Sequence, residues 1–169
     1  MSKHKLIELQ IIIEERIGSL REEVEIATNV KLNQLYIADR LDEIEFLQWT
    51  LRIIHSILNR GDDEQQQPGV TKKRLEMMKT IEFENTLQER VQELNLKLKD
   101  SNNLRESDIL INGIDTLESV LGRLLDLKYS DKTRAIEIAE AENNYQQANH
   151  LRKELIKFQD MESEISAQI

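Results

Sequence analysis

Apolar side chains recur at alternating intervals of four and three residues along most of this chain. The most regular runs are Ile13, Ile17, Leu20, Val24 and Ala27 near the start, and Leu110, Ile114, Leu117, Leu121 and Leu124 in the second half. This spacing places side chains along one face of an α-helix. With one proline and five glycines in 169 residues, the chain has few of the turn residues that sheets need. The sequence therefore predicts an all-α protein, an antiparallel helical bundle or coiled coil.

Residues 1–60 are predicted to form a long N-terminal helical arm. A second apolar stripe runs along it at Ile37, Leu41, Ile44, Gln48, Leu51, His55 and Leu58. The two stripes join only through two successive three-residue steps, from Val24 to Ala27 to Val30, and such steps overwind a helix or break it. Thr28 and Asn29 lie there, and both are weak helix formers. We expect one long helix with a bend near residues 28–30; the alternative is two helices that meet near residue 29.

Residues 61–71 are the predicted linker, because two glycines and the one proline fall within this acidic, glutamine-rich stretch. Thr71 can cap the helix that follows. Residues 72–169 then form a region of three shorter helices. Turn-prone residues 100–103 end the first helix, Ser107 caps the second, and a turn at residues 129–131 precedes a last helix over residues 131–163.

The predicted arm is too long to be covered by the three shorter helices that follow it. Its apolar stripe needs a partner, since apolar surface is unfavourable in water. We therefore expect a homodimer or a larger assembly, joined through the first stripe of the arm. The predicted interface residues are Ile13, Ile17, Leu20, Val24 and Ala27.

Charge and composition limit the partners and the compartment. The formal net charge is −9, and residues 107–169 hold 12 acidic and 7 basic side chains, so nucleic acid is an unfavoured partner. No apolar run approaches the roughly 18 residues of a membrane span, and the first residues do not resemble a signal peptide. The absence of cysteine fits a reducing compartment. We expect a cytoplasmic protein that acts away from membranes and binds other proteins.

The sequence contains one basic cluster, at residues 72–74 and Lys79. These residues begin a predicted helix, where cations oppose the helix dipole. One interpretation is a contact with an anion or with a partner. The other, which we favour from the sequence, is pairing with the acidic residues 62–64 across the linker.

Few residues offer catalytic or metal-binding chemistry. Histidines stand only at positions 4, 55 and 150, without the spacing of a helical di-iron site, and neither common glycine-rich phosphate loop is present. We predict no metal site and no cofactor. Glu22 with Glu25, and Asp42 with Glu45, are acid pairs like those that hold magnesium in helical pyrophosphatases. Because the chain has 32 acidic residues, such pairs also arise by chance.

His55 lies on the second predicted stripe. Histidine phosphotransfer proteins carry a reactive histidine on a helical bundle, in the pattern His-x-Leu-Lys-Gly. In this chain the glycine, Gly61, comes two positions late. The neighbouring Leu51 and Leu58 predict that His55 is buried. We therefore expect a histidine that sets helix register together with Gln48.

These observations favour a protein without enzymatic activity that acts through amphipathic helices as a scaffold, an adaptor or a subunit of a larger assembly. Two alternatives stay open. One is a helical phosphotransfer or magnesium-dependent hydrolase module that uses His55 or the acid pairs. The other is an acidic decoy or inhibitor that masks a basic partner, as the excess of acid in residues 107–169 suggests.

Residues 139–158 resemble the UVR motif, a short helical hairpin of excision-repair nuclease subunits and of some Clp-protease partners. The motif runs aromatic, two residues, alanine, two residues, leucine–arginine, and an aliphatic residue three further on. Its places are taken here by Tyr145, Ala148, Leu151, Arg152 and Leu155, while the residues at 146, 149 and 153 depart from the usual pattern. The resemblance implies a protein–protein docking hairpin in which these five residues bind the partner. Residues 117–127 are expected to fold back as its second helix.

Overall fold

The computed structural model describes residues 4–60 and 71–168, which form five α-helices without a strand. They are α1 (Lys5–Asn29), α2 (Gln34–Leu58), α3 (Lys72–Asp100), α4 (Leu104–Ala141) and α5 (Tyr145–Gln168). The predicted all-α helical bundle is confirmed. Most of the predicted linker lies outside the described residues, but Thr71 caps α3 as expected, since its Oγ1 accepts a hydrogen bond from the Arg74 N–H at 3.1 Å.

The N-terminal arm is a pair of helices rather than one long helix. α1 ends at Asn29, and α2 runs back along it. The Arg16 guanidinium binds the Glu43 carboxylate at 3.0 Å, and Arg40 binds Glu23 at 2.9 Å, which shows the antiparallel alignment. Our preference for a single bent helix is therefore wrong, and the alternative of two helices is correct.

The reversal between α1 and α2 is a Schellman turn. The Leu32 N–H donates to the Ala27 carbonyl at 2.9 Å, and the Lys31 N–H donates to the Thr28 carbonyl at 3.3 Å. Lys31 lies in the left-handed region at φ 54°, as the residue after such a helix end does. The Asn33 side chain then caps α2 by accepting from the Leu35 N–H. The two successive three-residue steps in the apolar spacing, from Val24 to Ala27 to Val30, coincide with this helix end.

Helix α4 packs against each of the other four helices. α1 to α4 form a bundle, and α5 lies against the second half of α4 and against α3. α2 and α4 run in the same direction, since Asp42 meets Arg105 and Phe46 meets Gly113 further along both helices. The α1–α2 turn and the start of α4 therefore lie at the same end of the bundle.

The first apolar stripe lies in the core of the chain itself. Ile13, Ile17, Leu20 and Ala27 are buried, and Val24 packs against the main core cluster. Their neighbours come from α2 and α4. We predicted a dimer interface at these residues because no other part of the chain was expected to cover them. Since α2 and α4 cover them, this reason for expecting a dimer no longer holds.

The buried face of α2 differs from the predicted stripe. Its buried residues are Asp42, Ile44, Leu47, Thr50, Ile54 and Ile57, whereas Leu41 and His55 are exposed. α2 has neighbours on several sides, in α1, α3 and α4, so apolar residues occur around most of its circumference. A spacing rule that assumes a single apolar face therefore cannot identify which face of α2 is buried.

The boundaries of α4 also differ from the prediction. Asn103 rather than Ser107 caps this helix, accepting from the Arg105 N–H at 2.9 Å. The helix continues through residues 129–131, where a turn was predicted. It ends in a second Schellman turn at residues 142–144, with Asn143 in the left-handed region at φ 58°.

Two glycines within α4 have different surroundings, which gives a matched pair of tests. A methyl group on Gly113 would overlap the Phe46 ring, whereas nothing lies within 4 Å of a methyl group on Gly122. We expect Gly122→Ala to raise the free energy of unfolding by about 1 kcal/mol through helix propensity. Gly113→Ala should leave it unchanged or lower it, because overpacking of roughly 1–3 kcal/mol opposes the same gain. Urea denaturation measures both, and equal stabilisation by the two changes would contradict this packing.

The stability that the N-terminal cap of α1 contributes is expected to depend on pH. The Nδ1 atom of His4 accepts a hydrogen bond from the Leu6 N–H at 3.1 Å, and burial holds the pKa of His4 below its ordinary value, with Glu76 opposing and Lys79 adding to the shift. The unfolded chain therefore takes up the proton first, so stability falls as the pH drops below about 6.5. Protonation of Nδ1 removes this cap, and the loss of a helix N-cap costs about 1 kcal/mol.

A His4→Asn variant separates the cap from its titration, because asparagine also caps but carries no proton in this range. Its free energy of unfolding should change less than that of the parent between about pH 7.5 and about pH 5.5. An identical pH dependence in both proteins would show that His4 is not the titrating group.

Candidate functional sites

A cleft of about 600 Å³ opens between the start of α3, the middle of α4 and α5, close to the start of α1. Its volume is in the range of small-molecule sites. Five lysines line it, namely Lys5, Lys72, Lys73, Lys128 and Lys132. The remaining lining residues are Glu76, Met77, Thr80, Ile81, Phe158 and Glu162. The sequence indicated a basic cluster at residues 72–74, but not that lysines of α1 and α4 join it.

Two of these lysines share one aromatic ring. The Nζ of Lys132 lies 4.1 Å from the centroid of the Phe158 ring, and that of Lys73 lies 5.9 Å from it. Burial lowers the pKa of Lys132 from its ordinary value, and the charges of Lys73 and Lys5 lower it further, while Asp131 and Glu162 oppose the shift. Among the described residues, no carboxylate comes within ion-pair distance of Lys72, Lys73 or Lys132.

Lys5, in contrast, is paired with Glu8 at 3.1 Å and with Asp131 at 3.6 Å. The acidic residues 62–64, which the sequence suggested as partners of the basic cluster, lie outside the described residues. Within the described residues, the positive charge of the rim that has no ion pair is that of Lys72, Lys73 and Lys132.

Lys128, in contrast, is fully paired at the inner edge of the cleft. Its Nζ binds Glu84 of α3 and Glu162 of α5, each at 2.6 Å, and its side chain is 7% exposed. Burial lowers the pKa of Lys128, but the hydrogen bonds to Glu162 and Glu84 outweigh it, and the net shift is upward. The Tyr129 hydroxyl donates to Glu162 at 2.7 Å, so burial and this bond raise its pKa. Three helices thus meet at one buried cation.

We expect Lys128→Met to destabilise the protein by roughly 3 kcal/mol or more, because it leaves two carboxylates facing each other without a cation. Replacing Glu84 and Glu162 by glutamine in the same variant should restore much of the loss. Lys157→Met, at an exposed position of α5, is the control for loss of one lysine. Denaturant unfolding of the four proteins checks this, and a Lys128→Met variant as stable as the control would refute it.

A second candidate surface is apolar and lies at the opposite end of α1. Ile26 and Val30 are each 62% exposed, Leu32 is 51% exposed and Leu35 is 48% exposed, all within ten positions around the α1–α2 turn. Leu104 begins α4 at the same end of the bundle and is 86% exposed. Single exposed leucines are normal in proteins, but concentrations of them mark interaction surfaces. We call this set the apolar end; no signal in the sequence separated it from the core stripes.

The stretch that resembles the UVR motif includes the turn between α4 and α5. Tyr145 is 62% exposed at the start of α5, and Leu151 and Leu155 are half-buried. Arg152 forms an ion pair with Glu140 of α4.

Ala148 is fully buried, so it packs inside the hairpin and is not accessible to a partner. The helix that folds back is the end of α4, where Ala139 is also buried, and not residues 117–127 as predicted. The buried pair of alanines suits a close approach of the two helices at this turn.

His55 is exposed, so the predicted burial is wrong. Its exposure meets one requirement of a phosphoacceptor, although the sequence pattern around it stays imperfect. The two acid pairs do not form one site: Asp42 is buried against Arg105 and Asn112, while Glu22, Glu25 and Glu45 are exposed. Within residues 4–60 and 71–168, no group of three acidic or histidine side chains is arranged to hold a metal ion.

The chain matches no protein-family model, no curated protein and no solved structure at a significant level. In the described residues, no helix is both long enough and apolar enough to cross a membrane.

Proposed function

We propose that this protein has no enzymatic activity and binds other proteins, as a scaffold, an adaptor or a subunit of a cytoplasmic assembly. The apolar end is the observation that carries the proposal. Turns at helix ends are usually polar, because their backbone groups face water. Here Val30, Leu32 and Leu35 occupy the turn and its flanks, and all are exposed. A partner that covers them would remove this apolar surface from water.

The shape of the bundle supports an adaptor with two contact surfaces. α4 has 38 residues and extends for about 57 Å. The apolar end lies near its first residue, and the α4–α5 turn follows its last. Near this second end, Ile138, Tyr145 and Ile156 are about half exposed or more. Binding at both ends would hold two partners apart by the length of this helix.

The resemblance to the UVR motif supports a docking role for the second end. The motif is a helical hairpin, and in this chain residues 142–144 connect two helices, α4 and α5, immediately before Tyr145. Of the predicted partner-binding residues, Tyr145 and Arg152 are exposed. We propose these two as the contacts of the hairpin.

A capture experiment tests the apolar end. The full chain is used as bait in a lysate of its native host, together with a Leu32→Ser/Leu35→Ser variant. A Leu125→Ser/Ile11→Ser variant is the control, since it removes two exposed aliphatic residues outside this end, one in α4 and one in the first half of α1. We expect the first variant to lose specific partners and the control to retain them, as read by mass spectrometry.

Retention of the same partners by all three baits would refute the role of the apolar end. A Tyr145→Ser bait tests the second end in the same way. Light scattering of the purified proteins distinguishes self-association from binding of a different protein: a dimer of the parent that dissociates only in the Leu32→Ser/Leu35→Ser variant would identify the partner as a second copy.

A further inference from the structure

Three lysines of the lysine-lined cleft, Lys72, Lys73 and Lys132, form no ion pair within the described residues, in a chain whose net charge is −9. Lys5 and Lys128 are paired with carboxylates. Lys72 and Lys73 lie in the first turn of the 29-residue helix α3, where the helix dipole is also positive. Lys132 of α4 lies near the same aromatic ring as Lys73, that of Phe158. Like charges held this close repel one another, and an anion bound between them would relieve the repulsion.

The interior of the cleft is largely apolar. Met77 and Ile81 of α3 and the ring of Phe158 form its floor. Met77 and Ile81 belong to the small core cluster that joins α3 to α5, so the floor is held in place by packing. A site with an apolar floor and a charged rim suits a ligand that has both kinds of group.

We propose that this cleft binds an amphiphilic organic anion. The carboxylate or phosphate head contacts Lys73 and Lys132, and the apolar part lies over Met77, Ile81 and Phe158. An inorganic anion uses the rim but leaves the floor unfilled, and a neutral apolar molecule uses the floor but leaves the lysines unpaired. Both should therefore bind more weakly than a molecule that combines the two.

Isothermal titration calorimetry of the full chain with hexanoate, octanoate and decanoate tests the floor. Affinity should rise about twofold to fourfold for each added methylene group. 1-Octanol tests the rim, and we expect at least about tenfold weaker binding than for octanoate. Octyl phosphate distinguishes the two head groups. Equal affinity for 1-octanol and octanoate, or for inorganic phosphate and octyl phosphate, would overturn the proposal.

A pair of variants with the same change in charge locates the binding site. Lys73→Gln/Lys132→Gln should weaken octanoate binding about tenfold or more, because both head-group contacts are lost. Lys153→Gln/Lys157→Gln removes two exposed lysines of α5 and should bind as the parent does. An equal loss in both variants would show that octanoate responds only to net charge.

A readout on the unmodified chain keeps the test independent of these variants. The chain has four methionines, and Met77 lines the cleft. With ¹³C-labelled methionine methyl groups, the Met77 signal, assigned through Met77→Leu, should shift in proportion to octanoate bound. Calorimetric binding without a shift of this signal would place the anion elsewhere and refute the proposed site.

Discussion

The need to cover α4 on several sides is the constraint on which the rest of the structure depends. Its buried residues include Leu110, Leu117 and Leu124, which continue one stripe, and Lys128 and Ala139 beyond them. No single helix can cover a surface of this length and width, so α1, α2 and α3 pack along it and α5 returns along its second half. The hairpin of α1 and α2 follows from this arrangement, because both helices bury their apolar residues against α4 and each other.

The ion pairs of Lys128 help to fix the position of α5 relative to α3 and α4. The apolar contacts of α5 are few: Ala148 and Ile165 are buried, and Phe158 and Met161 are partly buried against α3. The pairing of Lys128 with Glu84 and Glu162 relates α3, α4 and α5 to one another. Glu84 lies between the buried Ile81 and Leu87 of α3 and is the partner of a buried cation. This network also forms the inner edge of the lysine-lined cleft.

The net charge of each third of the sequence does not indicate where charge lies on the folded surface. The last third of the sequence is acidic, yet Lys128 and Lys132 from that third join Lys5 and Lys73 in one basic cleft. The cluster at residues 72–74 could be found in the sequence because its members are adjacent, whereas the other lysines of the cleft come from α1 and α4. The apolar end was hidden for a similar reason: Ile26 and Leu35 resemble core residues in the sequence, and only their position beyond the neighbouring helices leaves them exposed.

The sequence by itself determined the fold class, the first stripe of α1, the central stripe of α4 and the cap at Thr71, because each depends on spacing or on contacts within a few residues. The tertiary structure decided where the helices end and which faces are buried. A turn-prone segment at residues 129–131 stays helical because Lys128 and Tyr129 are bonded to neighbouring helices. Apolar residues occur around most of the circumference of α2, so the positions of α1, α3 and α4 select which of its faces is buried. His55 lies outside that face and is exposed to solvent.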